Sequence, residues 1–185
     1  MDRVAAAFAA LTREGFLPEG ERRRAGYDGP LAIGHGQTNS QPRTVEAMLH
    51  LLDVQPGQRV LDVGSGSGWT TALLAHLVGP TGSVTGVEIV PALVEFGSAN
   101  LAATGQPWAS IRRATPGVLG LPDHAPYDRI LVSAQPASLP QALVDQLADG
   151  GRLVIPVRGT MTLVTTSGGE VRESHHGSYR FVPLV

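Results

Sequence analysis

The sequence predicts an α/β fold with a mostly parallel twisted sheet, helices on both faces and an antiparallel edge at the C-terminus. Between residues 60 and 157, apolar runs typical of buried strands alternate with helical patterns, and such alternation is typical of a parallel sheet. Two strand patterns then follow each other, at 160–165 and 178–182, with a polar turn near 167–169. Consecutive strands of this kind predict antiparallel pairing. We expect one domain, because 185 residues suit a single core and no linker is visible.

The first 57 residues predict two helices separated by a long irregular segment. Residues 2–13 carry apolar side chains at helical spacing, and Gly15 follows them. Residues 14–42 show no clear periodicity, so we expect a polar loop, and long loops in compact domains are commonly functional. Pro42 then begins a helix with apolar residues at helical spacing as far as Leu52.

The central motif is a strand that runs into a glycine-rich turn, from Val60 to Gly68, with a helix predicted over 69–78. Its pattern is D-x-G-x-G-x-G. The fingerprint of dinucleotide-binding proteins needs a glycine at position 69, where this chain has Trp69. Glu88 ends the next predicted strand, 20 residues beyond Gly68. A carboxylate there can accept hydrogen bonds from both hydroxyls of a ribose, although an ordinary strand-end charge is the alternative interpretation.

The remaining elements follow in the order of an α/β fold. The residue patterns predict a helix at 91–101, a short strand near Ile111, a loop at 115–126 and a strand at 127–133. They then predict a helix at 141–147, closed by Gly150 and Gly151, and a strand at 152–157.

Composition limits the function classes. Apolar residues make up 42% and charged residues 16%, which suits a globular protein, and a formal charge of −2 gives no support to a nucleic-acid binder. The absence of cysteine excludes disulfides, thiolate metal sites and a cysteine nucleophile. His175 and His176 have no third ligand at a readable spacing, so we predict no metal site. We expect a cytoplasmic monomer without a membrane or nucleic-acid partner.

One stretch resembles a family signature. Residues 33–42, I-G-H-G-Q-T-N-S-Q-P, are similar to the I-G-x-G-Q-T-I-S-Q-P of the protein-L-isoaspartate O-methyltransferases. Supporting matches, in the family's order, lie at 60–68, 87–91, 119–122, 125–130, 150–156 and 180–184. The resemblance implies a Rossmann-like fold of the methyltransferases that use S-adenosyl-L-methionine (SAM). It also implies methylation of the free carboxylate of L-isoaspartyl residues in proteins and peptides, which initiates repair through a succinimide.

The same resemblance assigns parts of the chain. Residues 1–57 would form N-terminal helices and the active-site loop, 58–157 the SAM-binding core, and 158–185 the C-terminal strands. Ser40 would be the catalytic residue. The implied cofactor-binding residues are Gln37, Thr38, Asp62, Gly64, Ser65, Gly66, Gly68, Glu88, Ile89 and Gly117, and the implied substrate-binding residues are His35, Asn39 and Val182.

The chemistry explains why no general base is needed. A carboxylate is ionised at neutral pH and is already a nucleophile, so alignment and desolvation can supply the catalysis. We therefore expect the Ser40 hydroxyl to orient the substrate carboxylate. Ser40 as a hydrolase nucleophile is the competing interpretation, and it lacks the G-x-S-x-G elbow. Ser40 as a simple helix cap is the other alternative.

The chain departs from the family at two places. Asn39 stands where the family has a branched aliphatic residue, so we expect a more polar substrate pocket. Thr115-Pro116-Gly117 replaces G-D-G, whose aspartate holds the adenine amino group. We expect SAM affinity to fall modestly, by about 0.5–1.5 kcal/mol, or by up to about 3 kcal/mol if the lost partner is charged. These departures keep two alternatives open: methylation of normal aspartate in a dedicated peptide, and SAM binding without transfer.

Overall fold

The computed structural model describes residues 2–185 and contains a seven-stranded sheet with five α-helices, together with a separate two-stranded sheet near the N-terminus. The helices are α1 (Arg3–Ala10), α2 (Pro42–Leu52), α3 (Trp69–Val78), α4 (Pro91–Ala102) and α5 (Gln141–Val144). The strands are β1 (Leu31–Gly34), β2 (Gln37–Asn39), β3 (Arg59–Val63), β4 (Ser83–Glu88), β5 (Ala109–Arg113), β6 (Tyr127–Val132), β7 (Leu147–Val157), β8 (Thr160–Ser167) and β9 (Glu170–Ser178).

The large sheet has the order β5-β4-β3-β6-β7-β8-β9, and its first five strands are parallel. Strands β8 and β9 add the antiparallel edge, so the predicted fold class is confirmed. The strand order reverses at β3, because the chain first builds β4 and β5 on one side and then β6 and β7 on the other. Ligands of open α/β sheets bind at the carboxyl ends of the strands beside such a reversal.

Both faces of the sheet are buried. Val60, Leu131 and Val154 point to the face covered by α1, α2 and α3. Their strand neighbours Leu61 and Ile130 point to the opposite face, where α5 and the loops around it complete a second core. This alternation follows from the period of two along a strand, and it explains the continuous apolar runs in the sequence. Within residues 2–185, every helix is too short or too polar to cross a membrane.

The predicted irregular segment at 14–42 is the first correction. It contains two short 3-10 helices, at 13–16 and 19–24, and the hairpin of β1 and β2. Gly34 pairs with Gln37, so His35 and Gly36 form a two-residue turn with φ values of 56° and 72°. Such a turn needs left-handed backbone at both central positions. Strands of four and three residues were too short to show a periodic pattern in the sequence.

The C-terminal prediction was wrong in two places. The helix predicted at 141–147 ends at Val144, and β7 already begins at Leu147. A Cβ on Gly151 would lie 2.6 Å from Ala148 O, so this glycine permits a tight bend within β7 and does not close a helix. The strand predicted at 178–182 is also wrong. Strand β9 starts directly after the two-residue turn of Gly168 and Gly169 and ends at Ser178.

Helix α4 packs with its backbone against the glycine-rich turn. A Cβ on Gly97 would lie 2.6 Å from Gly66 O, and a Cβ on Gly68 would lie 2.7 Å from Gly97 O. Gly68 also has a φ of 87° and is the N-cap residue of α3. These glycines therefore fix how closely the helix and the turn approach each other, because any side chain would separate them.

We expect Gly97→Ala to lower the free energy of unfolding. Alanine within a helix usually stabilises a protein by about 0.5–1 kcal/mol relative to glycine. A decrease in the unfolding free energy of Gly97→Ala would therefore report the clash of the new Cβ with Gly66 O. Urea denaturation of the variant measures it. Ser98→Ala, on the same helix, is the control, since it gains helix propensity without entering this contact. A rise in stability for Gly97→Ala would contradict the packing.

Candidate active site

A cleft of about 920 Å³, including its open mouth, lies at the carboxyl ends of β3, β4 and β6. It is therefore at the reversal of strand order. The glycine-rich turn forms its floor, the β1–β2 hairpin with Ser40 forms one wall, and residues 118–120 and 182–185 form the others. The predicted site residues that line it are Gln37, Thr38, Asn39, Ser40, Gly64, Ser65, Gly66, Glu88, Ile89 and Val182.

Glu88 anchors the glycine-rich turn. Gly66 N–H donates to its Oε2 and Val90 N–H donates to its Oε1, both at 2.9 Å. The carboxylate is 6% exposed and lines the cleft. Each oxygen keeps a lone pair for a further donor, so the carboxylate can accept hydrogen bonds from two hydroxyls of a bound ligand.

Four N–H groups of the turn, those of Gly64, Ser65, Gly66 and Gly68, are already used within the protein. Gly64 and Ser65 donate to Val87 O, at 2.9 and 3.2 Å, and Gly68 donates to Ser65 O at 2.8 Å. A phosphate-binding turn needs free N–H groups that point at the anion. This geometry favours a ligand without phosphate.

Asp62 lies behind the cleft and is fully buried. Thr70 and Thr71 both donate their hydroxyls to its Oδ2 at 2.7 Å, and its Oδ1 has no protein partner. Burial raises the pKa of Asp62 to about 6, against the lowering effect of the two hydroxyl bonds. Asp62 does not line the cleft, but Thr70, which donates to it, does. Ser65 Oγ, at the cleft floor, is also buried without a protein partner.

The wall that carries Ser40 is held by one buried side chain, Arg13. Its guanidinium donates five hydrogen bonds: Nε to Asn39 Oδ1 at 2.6 Å, Nη1 to Tyr27 O at 2.8 Å, and Nη2 to Gly29 O, Asn39 O and Ser40 O at 2.8–2.9 Å. Burial lowers the pKa of Arg13 to about 10, partly offset by the charge of Asp28, so the group remains cationic at neutral pH. Arg13 also lies 5.7 Å from the centre of the Trp69 ring.

Asn39 joins this wall to the floor. Its carbonyl accepts from Arg13, and its amide nitrogen donates to Ser67 Oγ at 3.0 Å. The residue is 5% exposed. We predicted that the amide would make the substrate pocket more polar, but both of its ends already bond within the protein.

The wall at residues 118–120 is held by Gln146, which is buried. Its amide accepts from Leu121 N–H at 2.9 Å and donates to Leu119 O at 2.9 Å. Pro116 and Gly117 are exposed in the turn that leads into this wall, and Gly117 does not line the cleft. The prediction that Gly117 contacts the cofactor therefore has no support in this geometry, because the turn points to solvent.

The last wall is the C-terminal segment. Gln135 N–H donates to Val182 O at 2.7 Å, and Gln135 O accepts from Leu184 N–H at 2.9 Å. These bonds hold the segment beside the end of β6, so Val182 lines the cleft although it lies outside every strand.

His35 and Gly68 also lie outside the cleft. His35 is at the exposed tip of the β1–β2 hairpin, so its side chain is not placed to bind a substrate in the cleft. Gly68 contacts α4 instead. Away from the cleft, Asp2, Glu46 and His50 bring ligand atoms within 4.8 Å of one another on the exposed surface of α1 and α2.

Sequence reasoning missed Arg13 and Gln146. Arg13 stands at the end of a predicted helix and Gln146 in a predicted helix, where polar residues are ordinary. A signal existed for Arg13: the segment that it supports contains many backbone carbonyls and no regular partner for them.

Three comparisons place the chain among known proteins. The model of the family "Protein-L-isoaspartate(D-aspartate) O-methyltransferase" matches residues 1–185. The protein-L-isoaspartate O-methyltransferase of Methanopyrus kandleri is 44% identical over 100% of this chain and 84% of its own length. That of Aeropyrum pernix is 48% identical over 99% of this chain and 72% of its own length.

A solved structure agrees in fold. A Plasmodium falciparum protein described as a protein-L-isoaspartate O-methyltransferase, in complex with S-adenosyl-L-homocysteine, superposes with a TM-score of 0.88 at 28% identity. The match covers 100% of this chain and 91% of that one. The parallel sheet with its antiparallel C-terminal edge is thus common to both.

Asp62→Asn should change how stability depends on pH. The folded pKa of Asp62 is about 6, above its usual value, so protonation of Asp62 stabilises the folded wild type. This stabilisation is complete below about pH 4 and is lost as pH rises through 6. Asparagine cannot ionise and has no such loss. Between pH 4 and pH 7, the unfolding free energy of Asp62→Asn minus that of the wild type should therefore increase by on the order of 2 kcal/mol.

Urea denaturation at several pH values measures this difference. Asp123→Asn removes an exposed carboxylate and serves as the control. A constant difference between Asp62→Asn and the wild type would show that Asp62 ionises normally.

Proposed function

Because the chain belongs to the protein-L-isoaspartate(D-aspartate) O-methyltransferase family, we propose that its cleft transfers the methyl group of SAM to the free carboxylate of L-isoaspartyl residues in proteins and peptides. The observation that carries this proposal is that Ser40, from the signature at residues 33–42, and Glu88, from the separate match at 87–91, line one cleft. Ser40 would hold the reacting carboxylate, and Glu88 would hold the methyl donor.

The residues at the cleft floor fit SAM. Glu88 would accept hydrogen bonds from the two ribose hydroxyls, and Ser65 Oγ offers an unpartnered polar atom at the same floor. Gly64, Gly66 and Ile89 would contact the cofactor closely, with Gln37 and Thr38 above them. SAM carries no phosphate, which agrees with the occupied N–H groups of the turn. When bound, SAM supplies an electrophilic methyl group on a sulfonium.

The protein's part in the transfer is to hold and desolvate the substrate carboxylate. We propose that the Ser40 hydroxyl donates a hydrogen bond that aims one carboxylate oxygen. Val182 and the segment after it would form the opposite wall. Neither group has to accept a proton, because the carboxylate is already ionised at neutral pH. Alignment of two bound reactants can contribute about 7–11 kcal/mol.

We also propose that the chain acts as a monomer, because residues of one chain suffice to form the floor and the walls of the cleft. A cytoplasmic location, and the lack of nucleic-acid or membrane partners, stay predictions from composition.

The function is tested with two peptides that differ only in isoaspartate or aspartate at one position. We expect labelled methyl groups from SAM to reach the isoaspartyl peptide and not its aspartyl counterpart. Preference for the aspartyl peptide would favour a dedicated aspartyl substrate. Binding of S-adenosyl-L-homocysteine without transfer to either peptide would favour a binding protein.

Two substitutions should separate cofactor binding from transfer. Glu88→Ala removes the proposed acceptor of two hydroxyls and should raise the Kd for S-adenosyl-L-homocysteine by about 10- to 100-fold. Ser40→Ala should chiefly lower kcat for the isoaspartyl peptide and leave that Kd within about twofold, since it removes one substrate contact. Calorimetry and initial rates measure these quantities.

Glu95→Ala, on the exposed face of α4, is the matched control for removal of a carboxylate. An unchanged Kd in Glu88→Ala would show that the ribose is bound elsewhere.

A further inference from the structure

The charge of Arg13 is not neutralised by a carboxylate in the wall that it supports. All five of its acceptors are neutral oxygens: four backbone carbonyls and the amide oxygen of Asn39. Within residues 2–185, no ion pair includes Arg13. The carboxylate that acts on it from a distance, Asp28, forms an ion pair with Arg43 at 3.3 Å and accepts from its backbone N–H.

This charge lies one layer behind the cleft. Arg13 is 5% exposed, and its Nη2 is 2.9 Å from Ser40 O, while Ser40 itself lines the cleft. Trp69 and Asn39, which also line the cleft, are in contact with the guanidinium. Water and salt screen such a buried charge poorly, so its field reaches an anion that lies against Ser40.

We propose that Arg13 is a specificity-determining residue, whose buried and unneutralised charge selects an anionic group at Ser40 without touching it. The inference rests on the proposed function, since the anion would be the isoaspartyl carboxylate. Asn39 contributes to this selectivity, because its neutral amide oxygen accepts a hydrogen bond from the guanidinium without neutralising its charge.

The charge of Arg13 would favour the ionised substrate over the neutral methyl ester. The attraction acts on the carboxylate before transfer and disappears when methylation makes a neutral ester. It therefore strengthens substrate binding relative to binding of the product or of any neutral analogue. A purely structural role for Arg13 would affect charged and neutral ligands alike.

Asn39→Asp tests the proposal with little change of shape. One aspartate oxygen can accept from Arg13 Nε, and the other can accept from the Ser67 hydroxyl, so both contacts of the wild type are kept while the charge of Arg13 is neutralised. The readout is the KM for an isoaspartyl peptide divided by the Ki of the same peptide with isoasparagine, which is neutral.

We expect Asn39→Asp to raise this ratio about tenfold, which corresponds to about 1.4 kcal/mol of lost attraction. Thr81→Asp adds the same charge in the exposed turn before β4, at the amino ends of the strands and so at the other end of the sheet from the cleft, and should leave the ratio unchanged. If the wild type transfers methyl groups and Asn39→Asp has the same ratio as the wild type, the inference is wrong. Absence of transfer by the wild type would overturn the proposed function instead.

A second pair of variants assigns the effect to Arg13 itself. Arg13→Lys keeps the charge with fewer donors, and Arg13→Gln removes the charge. Among variants that still bind S-adenosyl-L-homocysteine, Arg13→Lys should keep a ratio near that of the wild type, and Arg13→Gln should raise it as Asn39→Asp does. A wild-type ratio in Arg13→Gln would show that the aspartate in Asn39→Asp acted by itself, and the inference would be wrong.

Discussion

The guanidinium of Arg13 is the constraint on which the site depends. The β1–β2 hairpin forms a two-stranded sheet of its own, separate from the seven-stranded sheet, and strands of that length are marginal by themselves. Five hydrogen bonds from one planar group tie the hairpin and the preceding segment to a single point. A hydrogen bond that involves a charged group typically contributes about 1.5–3 kcal/mol, so five bonds to one guanidinium give the segment one well-defined position.

A second constraint fixes the floor. The glycine-rich turn is pressed between α4 and β4, since Gly97 meets Gly66 and Gly68 from one side and Glu88 accepts from Gly66 on the other. The two constraints meet where Asn39 donates to Ser67. The wall that carries Ser40 and the floor that would carry the methyl donor are thus joined by a direct hydrogen bond, and neither needs a ligand to define it.

This rigidity suits the chemistry of the family to which the chain belongs. A carboxylate and a sulfonium need no proton transfer, so the protein gains most from holding two reactants in line and excluding water. Among residues 2–185, three buried side-chain polar atoms have no protein partner, and one of them, Ser65 Oγ, is at the cleft floor. The two departures from the family pattern lie in different environments. Asn39 is bonded within the wall, and Pro116 lies in an exposed turn.

How far the sequence leads can be judged from particular residues. The fold class follows from alternation of strands and helices, and the cleft residues Gln37 to Ser40, Gly64 to Gly66 and Glu88 lie in three separate segments at strand ends. The alternation and the glycine-rich turn are matters of local periodicity and spacing, which a sequence displays directly, whereas the roles of Gln37 to Ser40 were implied by the family resemblance. Gly117, His35 and Gly68 were placed in the cleft by motif alone, and their positions depend on which way a turn points.

The sequence by itself determined the parallel sheet, its antiparallel edge, the glycine-rich turn and the family resemblance, because each is written in neighbouring residues. Only the tertiary structure decided the rest. It showed that Arg13 contacts Asn39 and Ser40, 26 and 27 positions away, that Gln146 holds Leu119, and that Gly97 meets Gly66. Such contacts join residues distant in the chain, and a buried charge or a missing Cβ acquires its meaning only when its neighbours are known.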